Sequence, residues 1–202
     1  MEQTQKKMIG GKKVYGLPQE VKKELETNWE KIREEYNSII ESDKRNYVDG
    51  TGYLSDEGKW KVFGLRGFPL GEKINGDKCM YTHSILDKIP RLRTAAFSIL
   101  KPKMNIHPHR GLKDNTIRYH LGLITPKGPY IKIKGKTHYW EEGKILKFDD
   151  NVIHEVENPT NKERVILLFD VEEKFSFLLS IFKIIRKVTP KNFRKLFPLT
   201  EK

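Results

Sequence analysis

The chain has 202 residues, 33% of them charged and 37% hydrophobic, with a formal charge of +12 and a single cysteine. That length suits one packed domain with terminal extensions, and the composition excludes disorder throughout. The excess charge lies at the ends: residues 1–14 carry four Lys against one Glu, residues 172–202 carry eight Lys or Arg against three Glu, and only +4 remains for the body, so no nucleic-acid partner is expected. Cys79 cannot close an intramolecular disulfide and reads as a buried structural thiol, and the opening residues lack the apolar core of a secretion signal. The longest uncharged apolar-rich run near the C-terminus, residues 175–182, is too short to span a bilayer. Together these features point to a reducing, cytoplasmic setting.

In chain order, Val21, Leu25, Trp29, Ile32, Tyr36 and Ile39 recur at helical steps, which predicts one helix entered after Leu17-Pro18 with this face on the core. Trp29 and Tyr36 read as packing residues. From Lys59 the pattern shortens to β-rich runs at residues 60–65, 95–100, 117–123, 130–133, 136–140, 145–148, 153–156 and 165–171, with turn signals at Gly143-Lys144 and across residues 158–161. Such spacing predicts an all-β sandwich or jelly roll. Beyond Val171, Phe175, Leu178, Leu179, Phe182 and Ile185 share an apolar face opposed by Lys174, Lys183, Arg186 and Lys187. That is a basic amphipathic helix, docked on protein or lying through residues 174–188 at a membrane surface. The expected organisation is a single domain: a basic segment and helix over residues 1–44, a β core over 45–171, and a basic helix and tail over 172–202.

Several motifs in the β region carry chemistry. In a strand, residues two apart share a face, so His107 and His109 could both meet a pocket if Pro108 sits at an edge. The segment Gly143-x5-Asp149-x-Asn151-x2-His154-x3-Asn158 resembles the second cupin motif, although no Glu follows His109 where the first would place one. A fuller match runs through Phe97-Ser98-Ile99, Pro108-His109-x-Gly111, Arg118-x-His120-Leu121-Gly122-Leu123, Trp140-Glu141-Glu142-Gly143-Lys144, Phe148-Asp149-Asp150, His154-Glu155-Val156 and Arg164 to Phe169-Asp170-Val171. In this order they resemble the aspartyl/asparaginyl β-hydroxylase family of iron(II)- and 2-oxoglutarate-dependent dioxygenases.

The resemblance implies a double-stranded β-helix with an N-terminal helical layer, using Fe(II), 2-oxoglutarate and O2 to hydroxylate an unactivated C–H bond. His109 and His154 would be the iron ligands, because neutral imidazole suits Fe(II). Arg164, with its fixed fork, and Ser98 would grip the distal carboxylate of 2-oxoglutarate, while Arg118 and His120 would meet its iron-chelating end. The usual facial triad has two His and one carboxylate, but its His-x-Asp position reads His109-Arg110-Gly111 here. This branch is similar in lacking that carboxylate, which implies water in the vacancy and favours it over the triad-bearing branches; related halogenases admit a halide in the same position, which leaves halogenation open beside hydroxylation. Asp114 and Asp150 are alternative ligands, though Asp149 and Asp150 also suit a turn, and His83 and His138 have no partner pattern. The expected substrate is the β-carbon of an Asp or Asn residue or a related amino acid. A lipid acyl chain is the alternative, since lipid A hydroxylases are similar in the run from Arg118 to Leu123 and, loosely, in the basic tail. A cupin-like metal-binding protein without catalysis would keep both histidines but would not need Arg118 and Arg164 together.

Overall fold

In the computed structural model, residues 8–9, 12–13, 16–42, 48–49, 60–67, 78–111 and 116–172 are described. The expected C-terminal amphipathic helix lies outside these residues. The short strands β1 (Met8–Ile9) and β2 (Lys12–Lys13) pair with each other, and two facing sheets form the body. Six strands make the larger sheet in the order β10 (Ile145–Asp149), β7 (Thr116–Ile124), β12 (Arg164–Glu172), β5 (Leu92–Leu100), β4 (Trp60–Arg66), β3 (Val48–Asp49). The smaller sheet runs β6 (Met104–His109), β11 (His154–Asn158), β8 (Tyr130–Ile133), β9 (Lys136–Tyr139). All pairings within both sheets are antiparallel, and consecutive strands repeatedly cross between them, which is the double-stranded β-helix expected from the sequence.

Strand alternation sorts side chains between two cores. Along β12, Val165, Leu167, Phe169 and Val171 join Phe97, Leu121 and Leu123 on the face that meets the helices. The intervening Ile166 joins Leu100, Met104, Ile106, Ile131, Trp140, Phe148 and Val156 between the sheets. Because Arg164, Ser98 and His120 hold even positions on strands whose odd positions feed the helical core, the same period that buries the hydrophobic face turns these polar groups into the barrel.

The helical layer is held by specific contacts as well as by apolar area. Instead of one helix there are two, α1 (Gln19–Thr27) and α2 (Trp29–Ser42), parted at Asn28, whose backbone leaves the helical region at φ -111° and ψ 21° while its Nδ2 adds a second hydrogen bond to the Glu24 carbonyl. Tyr36 packs edge-on against Phe97 at 5.3 Å between ring centres. Trp29 lies so close to Gly143, at φ 70°, that a Cβ there would fall 2.6 Å from the indole. A third helix, α3 (Met80–Leu86), was not legible in the sequence, since it is too short for an apolar period. It is anchored from outside: the Glu35 carboxylate accepts the backbone N–H groups of Tyr81 and Thr82 and the Thr82 hydroxyl, at 2.6–2.8 Å. Cys79, just before it, is buried, and burial pushes its thiol up to about 12, so it is an inert packing group.

Replacing Glu35 by Ala leaves the first N–H groups of α3 without their acceptor. The expected cost is about 2 kcal/mol, as for a lost charged cap, which lowers the melting temperature by about 4–8 °C in a domain of this size. Thermal melting of Glu35→Ala beside wild type checks this.

Candidate active site

The two histidines meet because of an irregularity in β6. Pairing between β11 and β6 sets His154 opposite His109 and Val156 opposite Ile106, so β6 carries one extra residue across this interval. Pro108, which lacks an N–H, lies in the bulge. The expectation that His107 and His109 share a face is therefore corrected. His107 is exposed and lines an outer cleft of about 140 Å³ with Tyr130, Glu155 and Glu157, whereas the His109 ring stands 4.2 Å from that of His154, centre to centre.

Both rings are oriented identically by their own chain. Nδ1 of His109 lies 2.8 Å from the His107 carbonyl, and Nδ1 of His154 lies 2.9 Å from the Val152 carbonyl. A carbonyl can only accept, so each Nδ1 carries the proton and each Nε2 keeps its lone pair for a metal. Burial lowers the pKa of both rings; His154 falls to about 4, its Val152 hydrogen bond opposing the shift and His109 and Arg118 adding to it. Phe148 packs edge-on against His154 at 5.1 Å and against His120 at 5.2 Å, screening the pair from the side.

Deeper in the barrel, Arg164 is 2% exposed and fully desolvated, which lowers its pKa to about 9 and leaves it cationic at neutral pH. Its guanidinium lies 4.6 Å over the Trp140 ring, and Nη1 donates to the Ser98 carbonyl at 3.2 Å. Nε is buried without a hydrogen-bond partner, and among the described residues no carboxylate pairs with this side chain. The Ser98 hydroxyl accepts from Trp60 Nε1 at 3.1 Å, so its own proton is free to point into the barrel. His120 accepts from Trp140 Nε1 at 3.2 Å through Nδ1, which makes its buried, unpartnered Nε2 a donor. Burial, with Arg118, Arg164 and His154 nearby, holds this imidazole well below its usual pKa. A buried cation with an unpartnered Nε and an inward-facing serine hydroxyl suit the carboxylate of a small dicarboxylic acid, and two Nε2 lone pairs suit iron, so the residues present fit both groups the sequence implied.

Arg118 has different partners from those expected. Its Nε and Nη2 grip both oxygens of Asp170 at 2.8 Å, and its Nη1 lies 2.7 Å from Oδ1 of Asp150. Thr94 adds a hydroxyl to Asp170 at 2.8 Å. Asp150 Oδ1 in turn stands 3.5 Å from His154 Nε2, so Arg118 fixes a carboxylate beside the imidazole pair. Sequence reasoning gave no role to Trp60, Trp140, Thr94 or Asp170. Asp170 lies on the inward face of β12, six residues from Arg164, and that period was the available signal; Trp60 entered only as the start of a β-rich run and Trp140 only as part of the Trp140–Lys144 motif. His83 and His138 lie apart from the site on α3 and β9, and Asp114 lies outside the described residues.

Since His154 binds its proton more weakly folded than unfolded, the unfolded chain takes up more protons below pH 6.5 and stability is lost as pH falls from 6.5 toward about 4. In metal-free protein, His154→Gln is expected to melt with a smaller decrease between pH 7 and pH 5 than wild type. An equal decrease in both would contradict the burial argument.

Known proteins place this geometry in context. The family model described as aspartyl/asparaginyl beta-hydroxylase matches residues 26–174. An ornithine lipid ester-linked acyl 2-hydroxylase from Rhizobium tropici is 36% identical over 155 residues, covering 73% of this chain and 55% of that protein. The human aspartyl/asparaginyl beta-hydroxylase is 34% identical over 161 residues, covering 75% of this chain and 21% of that protein. The chain thus spans about half the length of the first and a fifth of the second. A Pseudomonas putida prolyl-4-hydroxylase structure aligns with a TM-score of 0.46 and 15% identity, over 71% of this chain and 86% of that one. The match of the family model across most of the β core and helical layer identifies the chain as a member of the aspartyl/asparaginyl β-hydroxylase family.

Proposed function

We propose that the protein is an iron(II)- and 2-oxoglutarate-dependent dioxygenase that hydroxylates an unactivated C–H bond. The observation that carries this reading is the pairing of two imidazoles with free Nε2 atoms and, deeper in the same barrel, a buried Arg164 whose Nε has no partner. A metal-binding module without a cosubstrate has no use for that arginine, and leaving it unpaired would be costly. When bound, iron(II) with 2-oxoglutarate couples decarboxylation of the cosubstrate by O2 to insertion of one oxygen atom into a C–H bond. His109 and His154 would hold the metal. Arg164 and the Ser98 hydroxyl would bind the distal carboxylate, with Trp60 orienting Ser98 and Trp140 covering the guanidinium against water. His120 Nε2–H would donate into the pocket between these ends.

For the substrate we infer an uncharged segment, best an ester-linked acyl chain, ahead of an Asp side chain. Arg118 is shared by Asp170 and Asp150, so among the described residues it offers no unengaged edge to a substrate carboxylate. The likeness to the Rhizobium lipid hydroxylase supports this choice. The β-carbon of Asp or Asn remains the second reading, supported by the likeness to the human enzyme. Succinate release in the presence of iron(II), ascorbate and O2 separates them: dispersed acyl lipids should stimulate it and Asp or Asn peptides should not.

Two binding measurements test the site itself. His109→Ala and His154→Ala should each lose iron, since one protein imidazole remains; normal iron content in both would sink the assignment. Arg164→Ala should keep iron but weaken anaerobic 2-oxoglutarate binding by about 2–5 kcal/mol, as for other truncated buried charge pairs, and Lys at this position should restore little because it lacks the planar fork. Calorimetric titration of the iron-loaded variants reads the difference.

A further inference from the structure

The smaller sheet sets one row of residues in register across all four of its strands. His154 is paired with His109 on β6 and with Ile133 on β8, and Ile133 is paired with Lys136 on β9. Directly opposed residues of antiparallel strands send their side chains to the same face. The two imidazoles meet inside the barrel and Ile133 packs against the core between the sheets, so the row ends with a lysine on the inward face of an edge strand. Four residues after Lys136, Trp140 covers Arg164, so the chain from β9 onward follows the pocket from its rim to the buried guanidinium. Lys136 is exposed at that rim, and among the described residues no carboxylate pairs with it. The acids of β11 and of the loop before it are engaged: Glu155 by Lys132 at 3.0 Å on the outer face, Asp149 by Asn151 at 2.9 Å. Two strand spacings separate Lys136 from His154 by about 10 Å across the sheet, with Ile133 between them. At the same edge the Lys134 N–H donates to the carbonyl of the exposed Ile153 at 3.0 Å.

We propose that Lys136 is a specificity-determining residue that holds the anionic headgroup, phosphate or carboxylate, of an acyl lipid while the apolar segment beside that group crosses Ile133 to reach the histidine pair. This rests on the acyl-lipid reading given above and names the class of lipid. From the imidazoles outward the row offers an apolar step and then a cation, which is the pattern of an amphiphile whose charge stands several bonds from its reacting carbon. An Asp side chain carries its carboxylate one bond from its β-carbon and presents nothing apolar to Ile133. A lysine on such an edge lays its stem along apolar surface and keeps its ammonium in water, so the charge is available to a ligand without having been buried when the chain folded. The same spacing puts the oxidised carbon toward the polar end of the acyl chain and away from its tail.

Calorimetric titration of the full chain decides the matter without turnover, in anaerobic protein loaded with iron(II) and 2-oxoglutarate and again in metal-free protein. The probes are dihexanoyl phosphatidic acid, neutral dihexanoylglycerol with the same chains, inorganic phosphate, and an acidic Asp-containing peptide. Wild type should bind the phosphatidic acid about tenfold more tightly than any of the others, and Lys136→Ala should lose about that factor, as for one hydrogen bond to a charged group. Lys136→Arg should keep the affinity, and neither variant should shift the melting temperature, because the side chain is exposed. Lys132→Ala removes an equal charge from the outer face of the same sheet and should bind as wild type does. Equal losses in Lys132→Ala and Lys136→Ala would reduce the effect to overall charge and overturn the proposal. Unchanged binding in Lys136→Ala, or a wild type with no preference for the phosphatidic acid, would overturn it too, since phosphate or peptide bound as tightly means a free anion or a protein substrate. A wild type that binds no iron would defeat the dioxygenase reading, whereas the metal-free titration judges Lys136 by itself.

Discussion

A guanidinium enclosed in a protein interior demands an anion, and the inner architecture of this protein is organised around Arg164. Arg164 begins β12, the strand between β5 and β7 in the larger sheet, and is turned inward by the same alternation that sends Val165, Leu167 and Phe169 to the helices. Its neighbours take up only part of its hydrogen-bonding capacity: the Trp140 ring covers one face and the Ser98 carbonyl takes one N–H. The remaining demand is met if a carboxylate enters, and a cosubstrate that brings one gains affinity from a charge already desolvated when the chain folded. Burial that would be a liability in an empty scaffold becomes pre-organisation in a binding site.

From that point outward, the barrel interior alternates between donors that are satisfied and donors that are open. Trp60 and Trp140 satisfy one atom each on Ser98 and His120 and so fix which remaining atom points inward. The backbone performs the same service for His109 and His154 through two carbonyls located two residues before each ring. At the far end, Arg118 is saturated by carboxylates, which separates the two arginines chemically even though the sequence presents them as equivalents. One cation keeps an Nε without a partner, and the other is engaged by two carboxylates and holds Asp150 beside the histidines. The helical layer supports this from behind: Tyr36 on Phe97 and Trp29 on Gly143 fix the sheet that carries Ser98, His120 and Arg164.

Much of this was legible in the sequence, and the reasons differ by residue. The eight β-rich runs declare themselves because alternation and turn formers are local signals; their spacing left a sandwich or a jelly roll, and the resemblance chose the double-stranded β-helix. His109, His154 and Arg164 were legible as a resemblance in which separate motifs keep their order. The helix break at Asn28 was hidden, because the apolar period continues smoothly through it while a side-chain amide takes the Glu24 carbonyl. The bulge at Pro108 was hidden too, since an extra residue in one strand is a property of the pairing and not of the strand; its consequence was to separate His107 from His109. The close approach of Asp150 to Gly111, where a Cβ would fall 1.6 Å from Oδ2, required coordinates, for it joins residues 39 positions apart. The basic amphipathic segment after Val171 lies outside the described residues, and membrane contact through it stands as a sequence expectation.

The central claim is that one pocket binds iron(II) and 2-oxoglutarate together, and an anaerobic absorbance titration addresses it most directly. Iron(II) chelated by 2-oxoglutarate within a protein gives a visible charge-transfer absorption that neither component gives alone. The account predicts that this absorption appears only when both are added, saturates at one equivalent of each per chain, and is abolished in His154→Ala. Absence of the band in iron-loaded wild-type protein at saturating 2-oxoglutarate would contradict it.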